Sequence, residues 1–149
     1  MTSEQTTPPC MIVTGMPGAG KSTVTQLAAE LIPRSARMDG DVANRLVVNG
    51  RVWALGEPAD EAARQVDLCN RNLCSLAANF ADAGFTPLID WIIPEQQFFF
   101  DGYDDLEAAM KRELGDAGWW FDTSGLTPQQ TAARVVAEAG QRALVTPRG

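Results

Sequence analysis

The chain has 149 residues, enough for one buried core, with 45% hydrophobic and 21% charged residues, an ordinary globular balance that excludes a disordered or fibrous protein. Its formal net charge is −7, so duplex nucleic acid, which needs Lys and Arg against its phosphates, is not an expected partner. With three cysteines, no CxxC pair and no histidine, a zinc site through soft ligands is excluded, and the odd cysteine count suits a reducing, cytoplasmic compartment.

Residues 1–9 are polar and end in two prolines, without the basic and apolar regions of a signal peptide, and read as a disordered N-terminus. No apolar run approaches the roughly 20 residues of a membrane span. Cys10 to Thr14 reads as a short buried strand. From Ser22 to Ile32 apolar residues recur at helical spacing until Pro33 stops the run. Ala36 to Met38 predicts a second strand ending in D-G-D, followed by a helix from Asp41 to about Val48. The longest predicted helix begins at Pro58 and runs to Ala83, with Gly84 as its stop. Phe85 to Ile93 is a third apolar run with Asp90 embedded in it. Asp104 to Leu114 predicts a short helix, Trp119 to Phe121 a fourth strand, and Thr127-Pro128 a final helix ended by Gly140. Residues 141–149 read as a loose tail. Strands alternating with helices predict an α/β fold with a parallel sheet, in one domain over 10–140.

Between the first strand and the first helix stands G-M-P-G-A-G-K-S, Gly15 to Ser22, the pattern G-x-x-x-x-G-K-[ST]. Gly15, Gly18 and Gly20, with Ala19 among them, let successive amides turn toward one point and approach an anion closely. The helix N-terminus adds its dipole and its unpaired N–H groups. Lys21 is then placed to reach β- and γ-phosphates, the Ser22 hydroxyl to ligate Mg²⁺, and Thr23 to contact an α-phosphate.

Ligands of open α/β sheets bind beyond the carboxyl ends of the strands, where Asp39, Asp41 and Asp90 are expected. Asp90 reads as the acidic partner that holds the metal's water shell. Asp39 reads either as a carboxylate beside the phosphate site or as a helix N-cap, and a capping role also competes at Asp41. Arg64 and Arg71 lie seven apart on the long helix, each four residues after an aspartate, which reads as surface ion pairs. Trp53 reads either as a wall of an acceptor site or as core.

Gly15–Thr23, D-G-D-V-A-N-R (Asp39 to Arg45) and L-I-D-W (Leu88 to Trp91) together resemble the small P-loop kinases that phosphorylate a hydroxyl. These are the chloramphenicol phosphotransferase-like enzymes, related to gluconate kinases and to the kinase domain of polynucleotide kinases. The resemblance covers most of residues 10 to 140. It implies a three-layer P-loop sandwich with strand order 2-3-1-4-5, ATP and Mg²⁺ as cofactors, and a small-molecule hydroxyl as acceptor. It also implies Asp41 as the base that takes the acceptor proton, Asp39 helping to hold magnesium, Arg45 touching substrate, and Arg64 on the long helix as a second candidate to grip the acceptor. W-F-D-T-S-G-L-T-P (Trp120 to Pro128) is similar to the family's last strand and loop, which implies that Thr123 and Ser124 lie near the adenine.

One departure stands out. Only 28 residues, 91 to 118, separate Asp90 from the Trp119 strand, whereas a single βαβ unit takes roughly 30. The family's fourth strand and its arginine-bearing lid are therefore expected to be missing, with Lys111 or Arg112 as the remaining cations nearby. Either the Trp119 strand moves in beside the first, or the sequence lacks a segment of the working protein. The alternative to a kinase is a nucleotide-binding module with little or no turnover.

Overall fold

The computed structural model describes residues 9–16, 18–91, 112 and 118–143. The expected helix at 104–114 lies outside them except for Arg112, as do both ends of the chain. The described residues fall into two compact units, one reaching Val13 and then running from Pro33 to Trp91, the other holding Thr14–Ile32 and the C-terminal segment.

The first unit is built on a parallel sheet of three strands, β1 (Met11–Val13), β2 (Ser35–Asp39) and β3 (Thr86–Asp90), in the order β1-β3-β2. The central strand carries three apolar residues between Thr86 and Asp90, and Pro87, Leu88, Ile89 and Asp90 are all buried, as expected of a parallel strand covered on both faces. Its register sets Met38 opposite Ile89 and Asp39 opposite Asp90. Because side chains alternate along a strand, Met38 and Ile89 share one face, and Arg37, Asp39, Leu88 and Asp90 share the other.

The face carrying Met38 and Ile89 is covered by the long helix, here α3 (Ala59–Asp82). Its buried residues Ala62, Gln65, Cys69, Leu73, Ala77 and Ala81 recur every three or four positions, forming one stripe. Cys69, Leu73 and Ala77 close over Met38 and Ile89 to make the core of this unit. The short α2 (Gly40–Asn44) packs on the same helix. It ends well before the expected Val48, because Leu46 and Val48 are 70% and 93% exposed and find no apolar surface to reward another turn.

The end of α3 is fixed as the Gly84 signal predicts. The Gly84 amide donates to the Ala81 carbonyl and the Phe85 amide to that of Phe80, each at 2.9 Å, while the two phenyl rings meet edge to face. Arg34 satisfies the last carbonyls, donating to Ala83 at 2.9 Å and Gly84 at 3.1 Å, with its guanidinium over the Phe85 ring.

In the second unit α1 (Lys21–Leu31) packs against α4 (Pro128–Arg142) through small residues: Thr25, Ala28 and Ala29 on one helix, Thr131 and Ala132 on the other. Both buried threonines return their hydroxyl to the carbonyl four residues back, Thr25 to Lys21 and Thr131 to Thr127, so no polar group is stranded at the contact. Thr127 and Gln130 cap α4 reciprocally, and the helix passes through Gly140 to Arg142 instead of stopping there. Arg134 and Arg142 both pair with Glu138, which adds side-chain support across that glycine.

The expected fourth strand at Trp119 to Phe121 is not a strand. Its aromatics are engaged otherwise: Trp119 and Phe121 stack at 4.6 Å between centroids, and Arg142 and Arg134 of α4 lie over those two rings. Among the described residues the sheet has three strands.

Leu73 is 3% exposed at the centre of the α3 stripe. Leu73→Ala is expected to cost about 2–5 kcal/mol, from the lost methyls plus the cavity left behind, read as a lower urea midpoint with an unchanged slope.

Candidate functional site

The glycine-rich segment has the backbone that the sequence demands. Gly18 and Gly20 hold φ of +78° and +84°, the left-handed region, and no atom stands within 4 Å of where a side-chain carbon would sit on either. Handedness, not crowding, therefore requires glycine there. Gly20 is the N-cap of α1, and no side chain caps that helix end. By contrast, Asp39 and Thr127 fill that role for α2 and α4. The Ala19 amide turns back to the Met16 carbonyl at 3.1 Å, and the Lys21 ammonium donates to the same oxygen at 2.9 Å. The loop thus carries its own cation, folded over it, with Ser22 and Thr23 exposed in the first turn of α1.

Thr123 and Ser124 belong to an exposed turn before α4. The Leu126 amide closes it on the Thr123 carbonyl at 3.0 Å, and the Ser124 amide donates to Asp122 at 2.8 Å. The Ser124 side chain and amide together hold the Asp122 carboxyl below its ordinary range.

In the first unit the strand-end carboxylates meet a residue that sequence reading passed over. Arg37 donates through one nitrogen to Asp90 at 2.6 Å and to Asp39 at 3.2 Å. The Asp90 side chain is 5% exposed, so its charge needs a partner of this kind. The other oxygen of Asp39 accepts from the amides of Asp41 and Val42, which makes Asp39 the N-cap of α2. A metal ion bound directly to Asp39 and Asp90 would have to displace a guanidinium from both. No group of three or more potential ligands is present among the described residues. Arg37 was legible in principle: two residues before Asp39 on a strand, it had to share that carboxylate's face.

Asp41 stands exposed in the first turn of α2, and its charge helps burial to push the Cys69 thiol above its usual range. It lines a cleft of about 260 Å³ together with Asn44, Arg45, Arg51 and Trp53. Three residues singled out from sequence, Asp41, Arg45 and Trp53, are thereby brought together. Trp53 is 70% exposed, which removes its core reading.

Gln65 organises the far wall of this cleft. Its amide oxygen accepts from the Val52 amide at 2.8 Å, and its nitrogen donates to the Gly50 carbonyl at 2.9 Å and to Glu61 at 2.8 Å. One buried side chain therefore fixes the backbone on either side of Arg51. A polar residue on the apolar stripe of α3 was the sequence signal for it. Under the cleft, Trp91 donates its indole N–H to Asn70 at 2.9 Å and lies so close over Gly40 that any side-chain carbon there would collide with the ring.

Arg64 is elsewhere. It pairs with Asp60 at 3.1 Å and Glu61 at 3.0 Å on the exposed side of α3, the surface reading of that spacing. Hydrogen bonds from Gln65 and Arg64 hold the Glu61 carboxyl below its ordinary range.

Comparison with models of known protein families and with curated protein sequences returns no match. No helix among the described residues is long and apolar enough to cross a membrane.

Arg37→Met is expected to cost about 2–3 kcal/mol in urea denaturation, because it leaves two adjacent carboxylates without their cation, one of them buried. Adding Asp90→Asn should return part of that loss; a double variant no more stable than Arg37→Met would contradict the pairing.

Proposed function

We propose that the chain is an ATP-dependent phosphotransferase of the P-loop kinase kind, moving the γ-phosphoryl group to a hydroxyl of a small molecule. The observation that carries this reading is the segment Gly15–Ser22. Left-handed glycines lead into α1, no side chain caps that helix, and Lys21 is folded over the loop. That is the arrangement an anion nest requires. The sheet order β2-β3-β1 adds support, being the first three places of the order the resemblance implies.

The roles follow from the chemistry. The loop amides and Lys21 neutralise the β- and γ-phosphates. Asp41 accepts the acceptor's proton as the acceptor oxygen bonds to the γ-phosphorus. The bond from that phosphorus to the bridging oxygen breaks, and ADP leaves with the electron pair. Magnesium enters with ATP as part of the substrate, where it supplies charge neutralisation, and the Ser22 hydroxyl is the group that would hold it. Arg45 and Trp53 contact the acceptor.

Arg37 favours a second reading, a nucleotide-binding module with little turnover, since it already occupies Asp39 and Asp90, the two carboxylates read from the sequence as partners of magnesium. ADP release measured across a library of alcohols separates the two; tight ATP binding with no acceptor raising release supports the module. Lys21→Ala is expected to weaken ATP binding by about tenfold or more. Asp41→Asn should keep ATP affinity and lower phosphoryl transfer by about 10²–10⁴-fold. Normal transfer in the Asp41 variant would remove it as the base.

A further inference from the structure

The first-unit cleft is a place where an acidic protein leaves positive charge uncommitted. Arg45 and Arg51 both line it, and neither has an ion pair among the described residues. Every other described arginine is held: Arg34 on the α3 carbonyls, Arg37 on Asp39 and Asp90, Arg64 and Arg71 on α3 acids, Arg134 and Arg142 on Glu138, and Arg112 by a further interaction. Against these two guanidiniums the cleft sets one carboxylate, Asp41, so its lining is net cationic in a chain of net charge −7.

Arg45 follows Asp41 by one helical turn, its amide donating to the Asp41 carbonyl at 3.1 Å, so carboxylate and guanidinium flank one side of the cleft. On the other side Gln65 pins Gly50 and Val52, which holds Arg51 between two fixed points and presents Trp53 two residues on. An indole exposed to 70% beside two uncommitted guanidiniums offers a flat apolar surface next to a fork for an anion. At about 260 Å³ the cleft is just below the roughly 300–1,000 Å³ that drug-sized ligands occupy, room for one ring and its substituents.

We propose that the acceptor is a small alcohol carrying both an anionic group, carboxylate or phosphate, and a planar ring: the anion bound by Arg45 and Arg51, the ring stacked on Trp53, the hydroxyl turned to Asp41. This rests on the phosphotransferase reading for the role of the hydroxyl, while the recognition of anion and ring stands on the cleft alone.

The test is calorimetric titration of the full chain with four probes: para-hydroxymethylbenzoate, para-hydroxymethylphenyl phosphate, the neutral para-hydroxymethylbenzamide and the alicyclic hydroxymethylcyclohexane carboxylate. At least one of the two anionic aryl probes should bind about tenfold tighter than the amide, one charge-assisted contact being enough for that ratio. Whichever of the pair binds more tightly identifies the anion. Arg45→Gln and Arg51→Gln should each erase most of that preference. Trp53→Leu should weaken the aryl probes and leave the alicyclic acid unchanged. All three side chains are exposed, and circular dichroism verifies that the variants are folded. An amide bound as tightly as both anions, or Arg51→Gln and Trp53→Leu variants that bind like the parent, would overturn the proposal. ADP release with ATP in the same samples separates the two claims. Anion-selective binding without release keeps this inference and removes the phosphotransferase reading, and release driven by the amide alone does the reverse.

Discussion

Asp39 has two carboxylate oxygens, and the first unit is organised around the fact that both are committed. One accepts the amides of Asp41 and Val42 and so starts α2 at the last residue of β2. The other faces Arg37, which also neutralises the buried Asp90 on the neighbouring strand. The parallel register that sets Asp39 beside Asp90 would otherwise bring two like charges together at the sheet's end. With the guanidinium there, the same geometry becomes an anchor. Asp41 and Arg45 inherit their positions from it, because a five-residue helix has little stability of its own and depends on its cap.

Gln65 does for the opposite wall what Asp39 does for α2. Loop residues 50–52 contribute no residue to the core, so packing cannot hold them. Two hydrogen bonds from one side chain on the rigid α3 do so instead, and the segment that presents Arg51 to the cleft is thereby placed by a helix that contributes nothing to the lining. Beneath, the Trp91 indole over Gly40 and its bond to Asn70 tie the end of β3 to α2 and α3. The exposed residues Asp41, Arg45, Arg51 and Trp53 thus stand on a frame of buried polar contacts.

Much of this could be read from residues alone, and the failures have physical reasons. Glycine and proline punctuation gave α1, α3 and the start of α4 to within a residue or two, because backbone handedness and a missing N–H act locally. The three strands were visible, the first and third as apolar runs and the second as a brief stretch ending in D-G-D. Trp119 to Phe121 has strand-like composition, yet its aromatics meet α4 arginines thirteen and twenty-three residues further on, a tertiary choice that propensity does not encode. Gly140 would end an isolated helix, and ion pairs on either side carry α4 past it. In the candidate site, Asp41 and Arg45 were legible from the D-G-D-V-A-N-R stretch. Arg51 was not: an arginine in a loop resembles any solvated charge until its neighbours are known to leave it without a counterion.

The glycine-rich segment Gly15–Ser22 is where sequence pattern and backbone geometry coincide, and the proposed function depends on its amides receiving an anion. Proton–nitrogen correlation spectra of the labelled chain, titrated with ATP and magnesium, test this residue by residue. The account predicts that the amide signals of Gly18, Gly20, Lys21, Ser22 and Thr23 shift together in one saturable process. Saturating ATP that leaves those five signals in place would contradict it.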